Sequence, residues 1–312
     1  MKIMIEREYA SLTTLHHPGI VRCVKLFYSY DDISRQLDNI FIVMERAVAM
    51  NDGPVLQRIS LPERKNYGGP AELFRYMVGR GPTNERITRF IMAQLLSATY
   101  YLHTCQPEPI VHRDLKTENV LVFGEVTTSV GLVPRCKLAD FGTARVIPIE
   151  QRLSYVPMLT KNNIGSKQYM APEFFPRTNI NNNTSTTLSS NNTTKTKSSM
   201  DKAKYDEKID IYSLGITMFA ILTAGRLPFT DSGEDPCNDA LWVPRMQDNK
   251  VKWNLIDPSL NEAGKDIIRW MIHLNPSTRF SAAQCLAHEW FDCIREEYAT
   301  VFQDPILKEL RR

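Results

Sequence analysis

The chain has 312 residues, 43% hydrophobic and 23% charged, with a formal net charge of +3 at pH 7. That length suffices for a large core or two domains, and the composition is that of an ordinary soluble globular protein. The small, scattered positive charge argues against a nucleic-acid footprint. The six cysteines (Cys23, Cys105, Cys136, Cys237, Cys285 and Cys293) contain no Cys-x-x-Cys pair, which disfavours a zinc site or a disulfide framework.

Residues 1–15 carry Ile5, Leu12 and Leu15 among charges, a helical pattern that His16-His17-Pro18-Gly19 ends. These first residues lack the apolar core of a signal peptide. Two β-rich runs follow, at 20–30 and 40–44, and then a polar loop at 51–69. Helical periodicity occupies 71–79 and, more strongly, 84–103. Short strands are expected at 120–122 and 136–138, flanking a turn with Gly131 and Pro134. Residues 178–204 are rich in Asn, Ser and Thr with few large apolar groups, and are expected to form a disordered insertion. Helical patterns resume at 208–224, 262–273 and 282–290. The apolar stretch 211–224 is too short to span a bilayer and reads as a buried core helix. No membrane or nucleic-acid partner is expected, and the expected location is cytoplasmic or nuclear.

The chemistry sits in two runs: His112-Arg113-Asp114-Leu115-Lys116-Thr117-Glu118-Asn119, and then Asp140-Phe141-Gly142. Phosphoryl transfer needs an acceptor oxygen held in line and a developing negative charge neutralised by metal. Asp114 can take a hydroxyl proton, Lys116 adds positive charge beside the transferring phosphate, and Asn119 and Asp140 are hard oxygen ligands suited to magnesium. Ala171-Pro172-Glu173 follows downstream.

These three motifs resemble the catalytic loop, metal loop and activation-segment anchor of the eukaryotic protein kinase family. The resemblance covers roughly residues 4–292. It implies an α+β protein-kinase-like fold with a mostly α-helical C-lobe (46–292) and a truncated β N-lobe (1–45), followed by a C-terminal tail (293–312). It implies ATP and Mg²⁺ as cofactors and protein substrates. Met44 and Glu45 resemble the gatekeeper and first hinge residue, with backbone groups near Arg46 and Ala47 binding adenine, and Leu121 resembles the leucine beneath the adenine ring. His112, Phe141, Leu12 and Cys23 resemble the apolar column joining the lobes, and Asp210 the buried aspartate anchoring it. Glu173 and Arg279 resemble the ion pair that locks the activation segment. Lys116, with Ser166 resembling the hydroxyl residue bridging Asp114 and Lys116, implies serine/threonine specificity. Glu72 and Glu118 resemble carboxylates that receive basic side chains upstream of the phosphoacceptor. The chain is most similar to the calcium/calmodulin-dependent kinase group.

Glu8 resembles the helix glutamate that pairs with a strand lysine, but only seven residues precede it and no Gly-x-Gly-x-x-Gly occurs. Two readings stay open: a serine/threonine kinase whose chain here is truncated, or a catalytically inactive pseudokinase with a regulatory or scaffolding role. Arg113 commonly receives an activation-segment phosphate in this family. Thr160 is the candidate to carry that phosphate, against the plain alternative of an exposed loop threonine, and Ser154 comes next.

Overall fold

The computed structural model describes residues 13–30, 37–45, 71–78, 80–105, 108–146, 167–175, 206–235 and 238–310. The strands are β1 (Cys23–Tyr30), β2 (Leu37–Met44), β3 (Ala71–Glu72), β4 (Ile110–Val111), β5 (Val120–Thr128), β6 (Gly131–Leu138) and β7 (Arg145–Val146). The helices are α1 (Leu73–Val78), α2 (Glu85–Thr104), α3 (Lys208–Leu222), α4 (Asp239–Gln247), α5 (Glu262–Met271), α6 (Ala282–Ala287), α7 (Arg295–Phe302) and α8 (Ile306–Glu309). The positions expected at Glu8, Leu12, Arg46, Ala47, Ser154, Thr160 and Ser166, and the insertion at 178–204, lie outside the described residues.

The helical lobe is organised around α3, which is buried on every side from Ile209 to Leu222. A helix apolar all round must sit at the centre of other helices, and α2 and α5 pack directly against it. At Gly215 the approach is so close that a Cβ would lie 2.6 Å from Ile272 Cγ2 and 2.9 Å from Met271 Cβ. Asn84 caps α2 by accepting from Ile87 N, and Asn261 caps α5 by accepting from Gly264 N. Ser281 and Gln284 close a reciprocal capping box on α6. No described helix is long and apolar enough to cross a membrane.

The hairpin of β5 and β6 is longer than the two short strands expected. Its turn falls at Ser129-Val130, and Gly131 and Pro134 lie within β6. A bulge between Val122 and Glu125, with Gly124 at φ +86°, interrupts the ladder beside Pro134. Proline has no N–H to give, so a bulge is where a strand accommodates it. Gln94 of α2 replaces the lost ladder bonds: its Nε2 donates to Pro134 O, and its Oε1 accepts from Cys136 N.

β1 and β2 form a two-stranded antiparallel ribbon, with Leu26 opposite Ile42 and Cys23 opposite Met44. It is tied to the helical lobe at one end. Val21 N donates to Leu138 O, Leu138 N to Gly19 O, and Lys137 Nζ lies 2.6 Å from Glu45 Oε1. Phe27 (46% exposed) and Tyr28 (40%) stand at consecutive positions of β1 and show apolar groups to water from both faces. A two-stranded ribbon with that surface open is marginal by itself.

The segment after 292, set apart above as a tail, is helical and packed. Tyr298 and Leu307 are buried, and the Arg295 guanidinium is inserted among the carbonyls of Leu286, His288 and Leu307. A buried guanidinium needs such acceptors, so α7 and α8 are part of the folded body.

Candidate active site

The loop of residues 112–119 runs from the end of β4 to the start of β5, suspended from α3 by the Asp210 carboxylate. Asp210 is fully buried. Its Oδ2 accepts from His112 N and meets His103 Nε2 at 2.9 Å, and its Oδ1 accepts from Arg113 N. Burial pushes the Asp210 carboxyl up, but the bond from His103 and the surrounding donors outweigh it and leave the group below the usual carboxylate range.

Arg113 (φ 69°) and Asp140 (φ 61°) both adopt the left-handed region. Side chains other than glycine rarely do so, and such strain persists only where neighbours over-determine it. For Arg113 the determinants are Asp210 on its N–H and Thr143 O on its Nε. For Asp140, the following turn folds back so that Gly142 N reaches the Asp140 carboxylate.

Asp114, Lys116 and Asn119 converge. Lys116 Nζ lies 2.8 Å from Asp114 Oδ2, and Asn119 Nδ2 donates to both Asp114 O (2.8 Å) and Oδ2 (2.9 Å). Asn119 thus spends its amide nitrogen internally, leaving its oxygen as the atom for a metal. Asp140, an exposed carboxylate, joins through backbone: Ala139 N donates to Asn119 O, and His112 Nε2 meets Ala139 O at 3.0 Å. The His112 ring packs on Phe141 at 4.7 Å. An amide oxygen and a carboxylate held by adjoining backbone are a donor set that fits Mg²⁺.

Residues 167–175 are pinned beside this loop. Tyr169 OH lies 3.4 Å from Thr117 Oγ1, and Ser213 Oγ donates to Tyr169 O. Arg279, with no exposed side-chain area, grips Glu173 through both nitrogens at 2.9 Å and also donates to Lys208 O and His273 O. Leu121 pairs with Glu72 across β5 and β3. Met44 is 39% exposed at the end of the ribbon, and Glu45 is committed to Arg22 N and Lys137. Glu118 accepts from Thr117 Oγ1, and Glu72 lies 3.4 Å from Arg75. The sequence reading missed His103, whose only signal was a lone histidine in the last turn of α2, and Gln94.

The profile described as protein kinase domain matches residues 1–291. Two fission-yeast (Schizosaccharomyces pombe) proteins are similar. Serine/threonine-protein kinase cds1 is 27% identical over 92% of this chain and 48% of its own length. Meiosis-specific serine/threonine-protein kinase mek1 is 29% identical over 77% and 45%. The chain thus spans about half the length of these relatives. Among solved structures, the Rad53 kinase domain with SCD2 matches with a TM-score of 0.61 at 21% identity, over 99% of this chain and 85% of that one. Its complex with AMPPNP matches with a TM-score of 0.58 at 22% identity, over 92% and 78%. These structures share the fold. The chain belongs to the protein kinase family.

Proposed function

We propose that the chain carries the catalytic half of a serine/threonine protein kinase, moving the γ-phosphate of ATP to protein hydroxyls. The supporting observation is Asp114 held at once by Lys116 and Asn119, with Asp140 carried alongside by Ala139. Asp114 takes the proton of the attacking hydroxyl. Lys116 balances charge at the acceptor and is the residue that favours serine and threonine. Asn119 and Asp140 are the magnesium ligands, and the metal, when bound, neutralises charge on the transferring phosphoryl group. Met44, Glu45 and Leu121 border the adenine. Half-exposed Glu72 and Glu118 support substrates with basic residues upstream of the acceptor, as in the calcium/calmodulin-dependent group.

Neither the glycine-rich turn nor the strand lysine that grips ATP phosphates in this family is found in the sequence. The open faces of the β1–β2 ribbon support a longer form in which further strands cover it. The missing glycine-rich turn and strand lysine favour a second reading, a pseudokinase. Calorimetry with Mg-ATP separates them. The 312-residue chain should bind weakly, and a form extended by a glycine-rich turn and a strand lysine should bind at micromolar concentration. Absence of binding by the extended form would leave the pseudokinase reading standing.

A further inference from the structure

The tip of the β5–β6 hairpin meets α7 through a pair of hydrogen bonds, with Val130 packed on the core beside it and Arg135 of β6 reaching Val301 O further along. Ser129 N donates to Glu297 Oε1 and Ser129 Oγ donates to Glu297 Oε2, both at 2.5 Å, across 168 positions of sequence. Exposed Thr104 and Thr300 spend their hydroxyls on backbone carbonyls four residues back, exposed Thr278 on Asn275 O and the His273 ring, and exposed Ser277 on Asn275. The Ser129 hydroxyl differs from these: it is exposed, and it joins two separate elements through a carboxylate.

We propose that Ser129 is a phosphorylation site whose modification unlatches the hairpin from α7. In the reaction, Ser129 Oγ attacks the γ-phosphorus of a nucleoside triphosphate bound to a modifying kinase. The O–P bond to serine forms as the bond to the β-phosphate oxygen breaks, the nucleoside diphosphate leaves, and the hydroxyl proton passes to that kinase's carboxylate base. The product replaces a donor by a group of roughly −1.5 to −2 charge at pH 7. It stands against Glu297, with Glu296 beside it in sequence, so attraction becomes repulsion at the same atoms. The buried contacts of Arg295, Tyr298 and Phe302 persist, so release is confined to the hairpin tip and the Glu297 side chain.

The hairpin carries both magnesium residues at its other end. Asn119 immediately precedes β5, Asp140 stands two residues beyond β6, and Val120 pairs with Leu138 between them. The latch therefore links the covalent state of Ser129 to the stiffness of the ribbon that bears the metal ligands.

The test uses the full chain with phosphoserine installed at 129, compared with the unmodified chain by amide hydrogen exchange. Exchange at 126–132 should rise at least tenfold on phosphorylation, with the amides of α7 unchanged. Ser129→Ala alone should produce a smaller change, because the Ser129 N–H bond to Glu297 survives. Glu297→Lys should reverse the sign, so that phosphoserine then slows exchange at the same amides. Equal protection with and without phosphate, or no reversal with Glu297→Lys, overturns the latch. Peptide mass mapping of the protein from its own cells should find phosphate on Ser129. Its absence in both growing and arrested cells overturns the modification.

Discussion

Replacing Asp210 by alanine removes the one acceptor that serves His112 N, Arg113 N and His103 together. The two backbone amides would be left without their partner beneath the loop, at about 1–3 kcal/mol each. The expected loss is therefore about 2–6 kcal/mol, a large part of the 5–15 kcal/mol typical of a domain. At roughly 2–4 °C per kcal/mol for a protein of this size, the melting temperature should fall by roughly 5–20 °C. Asp210→Asn is the sharper variant. It keeps volume and one oxygen, but its amide nitrogen is a donor pointed at donors, so it should recover little of the loss. Chemical denaturation of both variants at pH 7 measures this directly. The pH dependence supplies a second reading. The Asp210 carboxyl is held below its unfolded value near 3.9, so its contribution is fully present above that pH and is lost as pH falls through the lower folded value. Asp210→Asn should flatten the stability profile in that acid window. A loss below about 1 kcal/mol for both variants, with an unchanged acid profile, would refute the view that Asp210 suspends the loop.

Gly215→Ala should cost about 1–3 kcal/mol by overpacking, since its Cβ would meet Ile272 Cγ2 at 2.6 Å; a thermal melt within error of wild type would contradict this. Burial holds His17 below its ordinary value even though Asp304 acts to raise it, so the unfolded chain takes up this proton first. Stability should decline as pH falls below about 6.5 toward the folded value, and His17→Gln should lessen that slope in denaturation curves taken across the range. Asp140→Asn, at an exposed position, should leave the melting temperature within about 1 °C while weakening Mg-ATP binding in the extended form, as calorimetry would show.

The parts legible in the sequence were those where one residue type has one physical use. The spacing of Asp114, Asn119 and Asp140 marked them as candidates, and the structure brings Asn119 onto Asp114 and joins Asp140 to them through Ala139. α2, α3 and α5 were legible as apolar helical patterns, and the structure adds the Asn84 and Asn261 caps of α2 and α5. Asp210 and the Glu173–Arg279 pair were reached through the family resemblance, and the structure shows the partners each of them has. The hairpin was misjudged because Gly131 and Pro134 read locally as a turn. Gln94, forty residues away, supplies the bonds that let Pro134 stay in a strand. Residues 293–310 looked like a tail because α7 and α8 are short and charged. Arg295 and Asp304 are buried only because backbone carbonyls, Ser97 and Tyr298 from distant or neighbouring segments satisfy them. Such long-range satisfaction has no local signature.

The central claim is that Asp114 is the base of a phosphoryl transfer to protein hydroxyls. The most direct measurement is transfer of radiolabelled γ-phosphate to a serine/threonine protein substrate by the extended form, with Asp114→Asn beside it. The account predicts label on serine or threonine, dependent on Mg²⁺, and a rate about 10²–10⁴-fold lower for Asp114→Asn at equal ATP occupancy. Transfer by Asp114→Asn at the wild-type rate, or no labelled hydroxyl from an extended form that binds Mg-ATP, would contradict it.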